Sequence, residues 1–168
     1  MSKKILFVCH GNICRSPMAE FIMKRMVRRA GLEEEIEVAS AATSDEEVGN
    51  PVYPLAKRTL AVHGIGCPGK TARQLTVDDY TQYDMIVGMD AQNRHNMELL
   101  FGGDPEGKLS LLLDHTSESD AAHHGRDVSD PWYTRKFDIA YDDINAGCMA
   151  LFEKLAAECA AERAASND

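Results

Sequence analysis

No stretch of the chain approaches the ~20 consecutive apolar residues that a membrane-spanning helix requires. Positive charge is also scarce: 18 Lys and Arg stand against 27 Asp and Glu, for a formal net charge of −9. An anionic duplex or anionic lipid surface would be repelled, so neither nucleic acid nor a membrane is an expected partner. Any phosphate the protein handles must be held by a local arrangement working against that global field. The five cysteines, at 9, 14, 67, 148 and 159, are an odd number with no zinc-ribbon spacing. That argues against a disulfide framework or a structural metal and favours a reducing, cytoplasmic compartment. The apolar run Ile5-Leu6-Phe7-Val8-Cys9 is too short for a signal peptide and ends at His10-Gly11-Asn12. Internal repeats and linkers are missing as well.

What remains is ordinary globular composition, 44% hydrophobic and 27% charged over 168 residues. This length buries a core without staples and suits one domain. The reading is one domain over residues 1–163, with a frayed, Ala-rich and acidic tail at 164–168. Lys4 to Val8 reads as a buried strand. Ser16-Pro17 then reads as N-cap and first residue of a helix, with Glu20 in its first turn, stopped at Gly31. Further strands are expected at 36–39, 85–89 and 109–113, with helices at 55–62 and 91–100. A polar stretch from His115 to Asp130 is longer than an ordinary connection and reads as a functional lid or a disordered segment. A last helix is expected to start near Thr134 or Arg135 and to continue to about Ala161. Strands alternating with helices predict a parallel, doubly wound α/β sheet.

Ligands of such sheets bind beyond the carboxyl ends of the strands, where the first strand delivers Cys9-His10-Gly11-Asn12-Ile13-Cys14-Arg15-Ser16-Pro17. Gly11 and Asn12 tolerate positive φ and let the loop curl its N–H groups inward beside a helix N-terminus, an anion nest. Arg15 adds a planar fork that matches two phosphoryl oxygens. Helix N-termini and cations favour thiolate over thiol, so Cys9 is the candidate nucleophile, with Ser16 as a hydrogen-bond donor to its sulfur. A core cysteine and a surface arginine would account for Cys9 and Arg15 singly. They would not account for glycine, asparagine, arginine and serine on the same short segment. The leaving group needs a proton donor, and the polar stretch offers Asp114, Asp120, Asp127 and Asp130. Asp130, stiffened by Pro131 and followed by aromatic Trp132 and Tyr133, is preferred over Asp127, though a solvated loop aspartate remains the open alternative. His115, His123 and His124 read as solvated loop histidines and not as a metal site.

These segments resemble the low-molecular-weight protein tyrosine phosphatases: the phosphate loop at Val8 to Pro17 and the general-acid segment at Asp130-Pro131-Trp132-Tyr133. Ser40-Ala41-Ala42-Thr43-Ser44, Val48-Gly49-Asn50-Pro51, Ala72-Arg73-Gln74 and Met89-Asp90 match in order between them. The resemblance implies a flavodoxin-like sheet of four parallel strands with helices on both faces and the phosphate loop after the first strand. It implies a cysteinyl-phosphate on Cys9, with Arg15 and the amides of residues 10–16 (His10, Gly11, Asn12, Ile13, Cys14, Arg15 and Ser16) holding phosphoryl oxygens. Asp130 is implied as general acid and then base, and Ser40 as the partner of Asn12 in holding the loop's shape. No cofactor and no metal are implied. The implied partners are phosphotyrosine proteins and a cognate tyrosine kinase, with the oligomeric state left open.

For Cys14, simple packing and a reversible disulfide with Cys9 under oxidation stand level, while Cys67, Cys148 and Cys159 read as structural. Glu46 stands on the rim where many eukaryotic members carry an aromatic residue, and Trp132 where tyrosine is frequent. A protein-arginine phosphatase on the same fold is the alternative, although such enzymes tend to have threonine where this chain has Ile13. Arsenate reductase would need a cysteine pair after the third strand, and the stretch from Tyr83 to Leu113 has none. A phosphate-binding module without catalysis would need neither the thiol nor the acid.

Overall fold

The computed structural model describes residues 2–168. Its centre is strand β1, Lys3–Cys9, whose residues Ile5, Leu6, Phe7 and Val8 are all fully buried. Successive side chains of a strand point to opposite faces. Ile5, Phe7 and Cys9 therefore enter one hydrophobic core, and Leu6 and Val8 the other. A strand buried on both faces reads as an unbroken apolar run, which is why β1 shows no alternation.

Strand β2, Ile36–Ala42, pairs with one edge of β1 and β3, Met85–Gly88, with the other. The short β4, Leu109–Leu111, completes an all-parallel sheet of order β2-β1-β3-β4. Helices α1 (Arg15–Arg29) and α2 (Pro54–Val62) cover the Phe7 face together with the last helix, α6 (Phe137–Ser166). The short α3, Asp79–Gln82, precedes β3. On the opposite face, α4 (Ala91–Phe101) buries Met97 against Leu6, Val8 and Ile86. This is the expected flavodoxin-like arrangement, and its strand order reverses at the β1/β3 boundary. Such a switch point opens a crevice beyond the carboxyl ends of the strands. Among the described residues no helix is long and apolar enough to cross a membrane.

Several element boundaries differ from the sequence reading. Helix α1 is capped at Cys14 and starts at Arg15, so Ser16 and Pro17 lie inside its first turn and no side chain caps it. The Ser16 hydroxyl is turned toward Cys9 instead of the helix backbone. Glu20 falls beyond the first turn and is buried. Strand β4 ends at Leu111, where a 3-10 turn, Leu112–His115, takes over. The last helix, expected to start near Thr134 or Arg135, starts later, and an unexpected short helix precedes it. A four-residue helix α5, Pro131–Thr134, ends at Arg135, whose φ of 60° is left-handed. Helix α6 then begins at Phe137 and continues through Ser166, so the first residues of the expected frayed tail are helical.

Candidate active site

The β1–α1 loop turns its carbonyls outward onto neighbouring backbone. Thr43 N–H donates to Cys9 O at 2.9 Å, Ser44 N–H to His10 O at 3.1 Å and Tyr53 N–H to Ile13 O at 2.9 Å. The N–H groups of Gly11, Ile13, Cys14 and Arg15 find no acceptor among the described residues. All four residues line a cleft of about 110 Å³ above the loop. The turn is made possible by Asn12 at φ 59°, a conformation open to asparagine at lower cost than to most residues.

The amide of Asn12 fixes that turn from within. It is 1% exposed, and its Nδ2 donates to Ser16 Oγ at 2.8 Å and to Ser40 Oγ at 2.9 Å. Its Oδ1 accepts from Arg73 N–H at 3.1 Å. Ser40, on β2, passes its own hydrogen to Glu20 Oε1 at 2.6 Å. Lys24 and Lys70 neutralise that buried carboxylate at 2.6 and 3.3 Å. Burial lowers the Lys70 ammonium, against the pull of Glu20.

Cys9 sits at the foot of the cleft, 3% exposed. Its Sγ lies 3.0 Å from Ser16 Oγ and receives Asn12 N–H and Ser16 N–H at 3.4 Å each. Three polar contacts on one sulfur, at the mouth of a 15-residue helix, suit a sulfur that carries negative charge. Cys14 lies on the same loop, and burial, then the charges of Cys9 and Asp130, push its thiol far above the ordinary range. All five cysteines are free.

Arg15 is 2% exposed and commits only part of its fork to the protein. Nη1 donates to Asp90 Oδ2 at 2.7 Å and to Val128 O at 2.8 Å, and Nη2 to Asp130 Oδ2 at 3.4 Å. With five N–H donors on a guanidinium, Nε–H and the second Nη2 hydrogen are left for a ligand. Burial opposes the Arg15 charge, but Cys9, Asp130 and Asp90 outweigh it and raise the group further.

Asp130 lines the cleft opposite the loop, and its Oδ1 caps α5 by accepting from Trp132 N–H at 3.0 Å. Asp127, the other candidate acid, is occupied elsewhere: its Oδ1 accepts from Ala91 N–H at 3.1 Å at the start of α4. Trp132 and Tyr133 form one wall, 43% and 80% exposed, with Trp132 edge-on to Tyr53 at a 5.0 Å centroid distance. The opposite rim carries Glu46, paired with His10 at 3.0 Å.

The expected residues converge on one cleft except Asn12 and Ser16, which do not line it: their N–H groups turn to Cys9 Sγ and not to the cleft, and they support the loop from behind with Ser40. Sequence reasoning missed Asp90, Glu20 and the Val128 carbonyl as parts of this assembly. Asp90 had two usable signals, the match of Met89-Asp90 to the family and its place at the exit of β3 beside the switch point. Among the described residues no group of three or more His, Cys, Asp or Glu side chains is placed to hold a metal.

Comparison with known proteins points to one family. The family profile described as Low molecular weight phosphotyrosine protein phosphatase matches residues 4–161. The Bacillus subtilis protein named low molecular weight protein-tyrosine-phosphatase YfkJ is 37% identical over 92% of this chain and 96% of its own. Low molecular weight phosphotyrosine protein phosphatase 1 of Drosophila melanogaster is 34% identical over 92% and 97%. The crystal structure of YfkJ superimposes with a TM-score of 0.88, covering 94% of this chain and 97% of that one.

Proposed function

The chain belongs to the low-molecular-weight phosphotyrosine protein phosphatase family, and from that premise we propose how its cleft performs the reaction. The protein is a protein-tyrosine phosphatase, a phosphoric monoester hydrolase. Our reading is that the phosphoryl group of a phosphotyrosine side chain enters the loop 10–16. Its oxygens take up the free N–H groups of Gly11, Ile13, Cys14 and Arg15 and the two spare hydrogens of the Arg15 fork. Cys9 Sγ then attacks phosphorus in line while the bond to the phenolic oxygen breaks, and Asp130 delivers a proton to that oxygen. In the second step Asp130, now a carboxylate, takes a proton from water. The water attacks the cysteinyl-phosphate and releases inorganic phosphate and the Cys9 thiolate, which Ser16 Oγ stabilises as leaving group.

The observation that carries this assignment is the shared cleft. One sulfur receives three polar contacts at its foot, with Arg15 and Asp130 joined 3.4 Å apart beside it. Trp132 and Tyr133 supply flat apolar surface for the substrate's ring. The arginine-phosphatase alternative is not favoured, because the similar proteins above are named for phosphotyrosine, and Ile13 on the cleft wall presents apolar surface to a phenol ring where threonine would present a hydroxyl.

Cys14 suits the role of reversible guard. Oxidation of the Cys9 sulfur by a peroxide gives a sulfenic acid, and attack by Cys14 expels water and forms the disulfide, which a thiol reductant reopens. The reducing cytoplasm is the compartment we assign, with a tyrosine kinase as the activity that generates the substrate. The test is an initial-rate comparison on one peptide carrying phosphotyrosine, phosphoserine or phosphoarginine, repeated after peroxide with and without reductant. Preference for phosphotyrosine and reductant-reversible loss support the reading, and preference for phosphoarginine overturns it.

A further inference from the structure

The irregular segment that carries Asp130 is tied to α6 through one buried carboxylate. Asp143, 3% exposed, accepts a two-pronged contact from Arg126: Nη1 to Oδ2 at 3.0 Å and Nη2 to Oδ1 at 2.6 Å. The same guanidinium reaches back into its own loop, with Nε donating to Ala122 O at 2.6 Å and Nη1 to Asp127 O at 3.3 Å. His123 adds a looser tie, Nε2 lying 3.6 Å from Asp143 Oδ1 while Nδ1 meets Asp120 at 2.9 Å.

Beyond Asp127 the chain enters the active site directly. Val128 N–H donates to Met89 O at 2.9 Å, and Val128 O accepts from Arg15 Nη1 at 2.8 Å. Asp130 follows, facing Arg15 Nη2. A continuous set of contacts therefore runs from Asp143 through Arg126 to the Asp127–Val128 backbone and on to Arg15 and Asp130. A segment with so little regular structure is costly to order, and a fork that holds two of its carbonyls against a helix restricts where its far end lies.

We propose that Asp143 and Arg126 act together as positioning residues for the phosphatase reaction. By pinning the Ala122 and Asp127 carbonyls onto α6, they set the distance of the Asp130 carboxyl from the departing oxygen. The inference rests on Asp130 being the general acid. Neither Asp143 nor Arg126 gains or loses a proton: the proton moves from Asp130 to the phenolic oxygen as the P–O bond breaks.

The experiment measures kcat/KM on phenyl phosphate, a poor leaving group, and p-nitrophenyl phosphate, a good one. The variants are Arg126→Gln, Arg126→Lys, Asp143→Asn, the Arg126→Gln/Asp143→Asn double variant and Asp130→Asn. Arg126 is largely at the surface, so its variant keeps the test open if the buried Asp143→Asn folds poorly, and thermal melting checks both. A displaced acid lowers kcat/KM about tenfold or more for phenyl phosphate and less than about threefold for p-nitrophenyl phosphate. Two residues acting as one clamp give a double variant no worse than the worse single, and Arg126→Lys recovers part of the loss. Equal losses on both substrates, no loss in a folded variant, or additive effects overturn the proposal while Asp130→Asn still discriminates. If Asp130→Asn itself treats both substrates alike, the general-acid assignment fails and the clamp falls with it.

Discussion

Asn12 and Ser40 are joined by a 2.9 Å hydrogen bond that ties the phosphate loop to β2 and settles the direction of its neighbours. Ser40 donates its hydrogen to Glu20, whose carboxylate pairs with Lys24 and Lys70. It therefore receives from Asn12 Nδ2, whose other hydrogen goes to Ser16 Oγ. The Ser16 hydroxyl hydrogen is left for Cys9 Sγ at 3.0 Å. A carboxylate on α1 thus orients, through two serines and an amide, the hydroxyl donor that faces Cys9 Sγ.

Replacing Asn12 separates this relay from the backbone turn. Asn12→Gly keeps the left-handed conformation but removes the amide donor to Ser16 Oγ and Ser40 Oγ and leaves the Arg73 N–H without its acceptor. Asn12→Ala adds backbone strain of about 1 kcal/mol. Steady-state rates should fall at least about tenfold in both variants. Urea unfolding should find the alanine variant the less stable. A fully active Asn12→Gly would mean that the turn alone shapes the loop.

Asp130→Asn keeps an α5 cap and removes the transferable proton. Turnover of phenyl phosphate should drop by about two orders of magnitude and that of p-nitrophenyl phosphate far less. Rates measured across a series of substituted phenols should therefore become more sensitive to leaving-group basicity. An unchanged dependence would remove Asp130 from the mechanism.

Much of this site is legible along the chain because its parts are local. The loop from Cys9 to Ser16 follows an apolar strand and opens a helix, and each of its residue types has a backbone or charge reason to be there. Asp90, Glu20 and the Val128 carbonyl are not legible that way. They reach the loop through β3, the buried face of α1 and a long irregular segment, and no short spacing announces such meetings. The α1 boundary differs from the expected one for a related reason. Ser-Pro is a strong helix start in isolation, but here the serine hydroxyl serves Cys9. The break before α6 lacks its usual marker, because Arg135 and not glycine adopts the left-handed conformation.

Gly147 on α6 is a packing requirement. A Cβ built there would lie 2.5 Å from Leu112 Cγ, and Leu112 is fully buried. Helix propensity alone would make Gly147→Ala stabilising by ~1 kcal/mol. The clash should reverse the sign and cost about 1–3 kcal/mol. Thermal unfolding of the variant decides between the two, and a higher melting temperature would show that the 3-10 turn yields readily.

His115, expected to be a solvated loop histidine, is instead partly buried and should make stability depend on pH. Burial, aided by Lys154, lowers its imidazole to about 4, and Ser110 Oγ meets its Nε2 at 2.8 Å. The folded protein therefore refuses a proton that the unfolded chain binds below about pH 6.5. Stability from this group is complete above that pH and is lost as pH falls toward 4, by about 2 kcal/mol near pH 5. Urea midpoints for wild type and His115→Gln should converge between about pH 7.5 and pH 5 as the wild type loses this contribution. A constant difference between them would contradict the neutral, buried imidazole.

The central claim is that Cys9 carries the phosphoryl group between the two displacements. Its most direct test is acid quenching during turnover of an aryl phosphate, followed by peptide mapping with mass spectrometry and phosphorus NMR. The account predicts a phosphoryl group bonded to sulfur on the peptide containing Cys9, absent from Cys9→Ser although that variant still binds vanadate. Phosphate found on another residue, or a Cys9→Ser variant that still turns over the substrate, would contradict it.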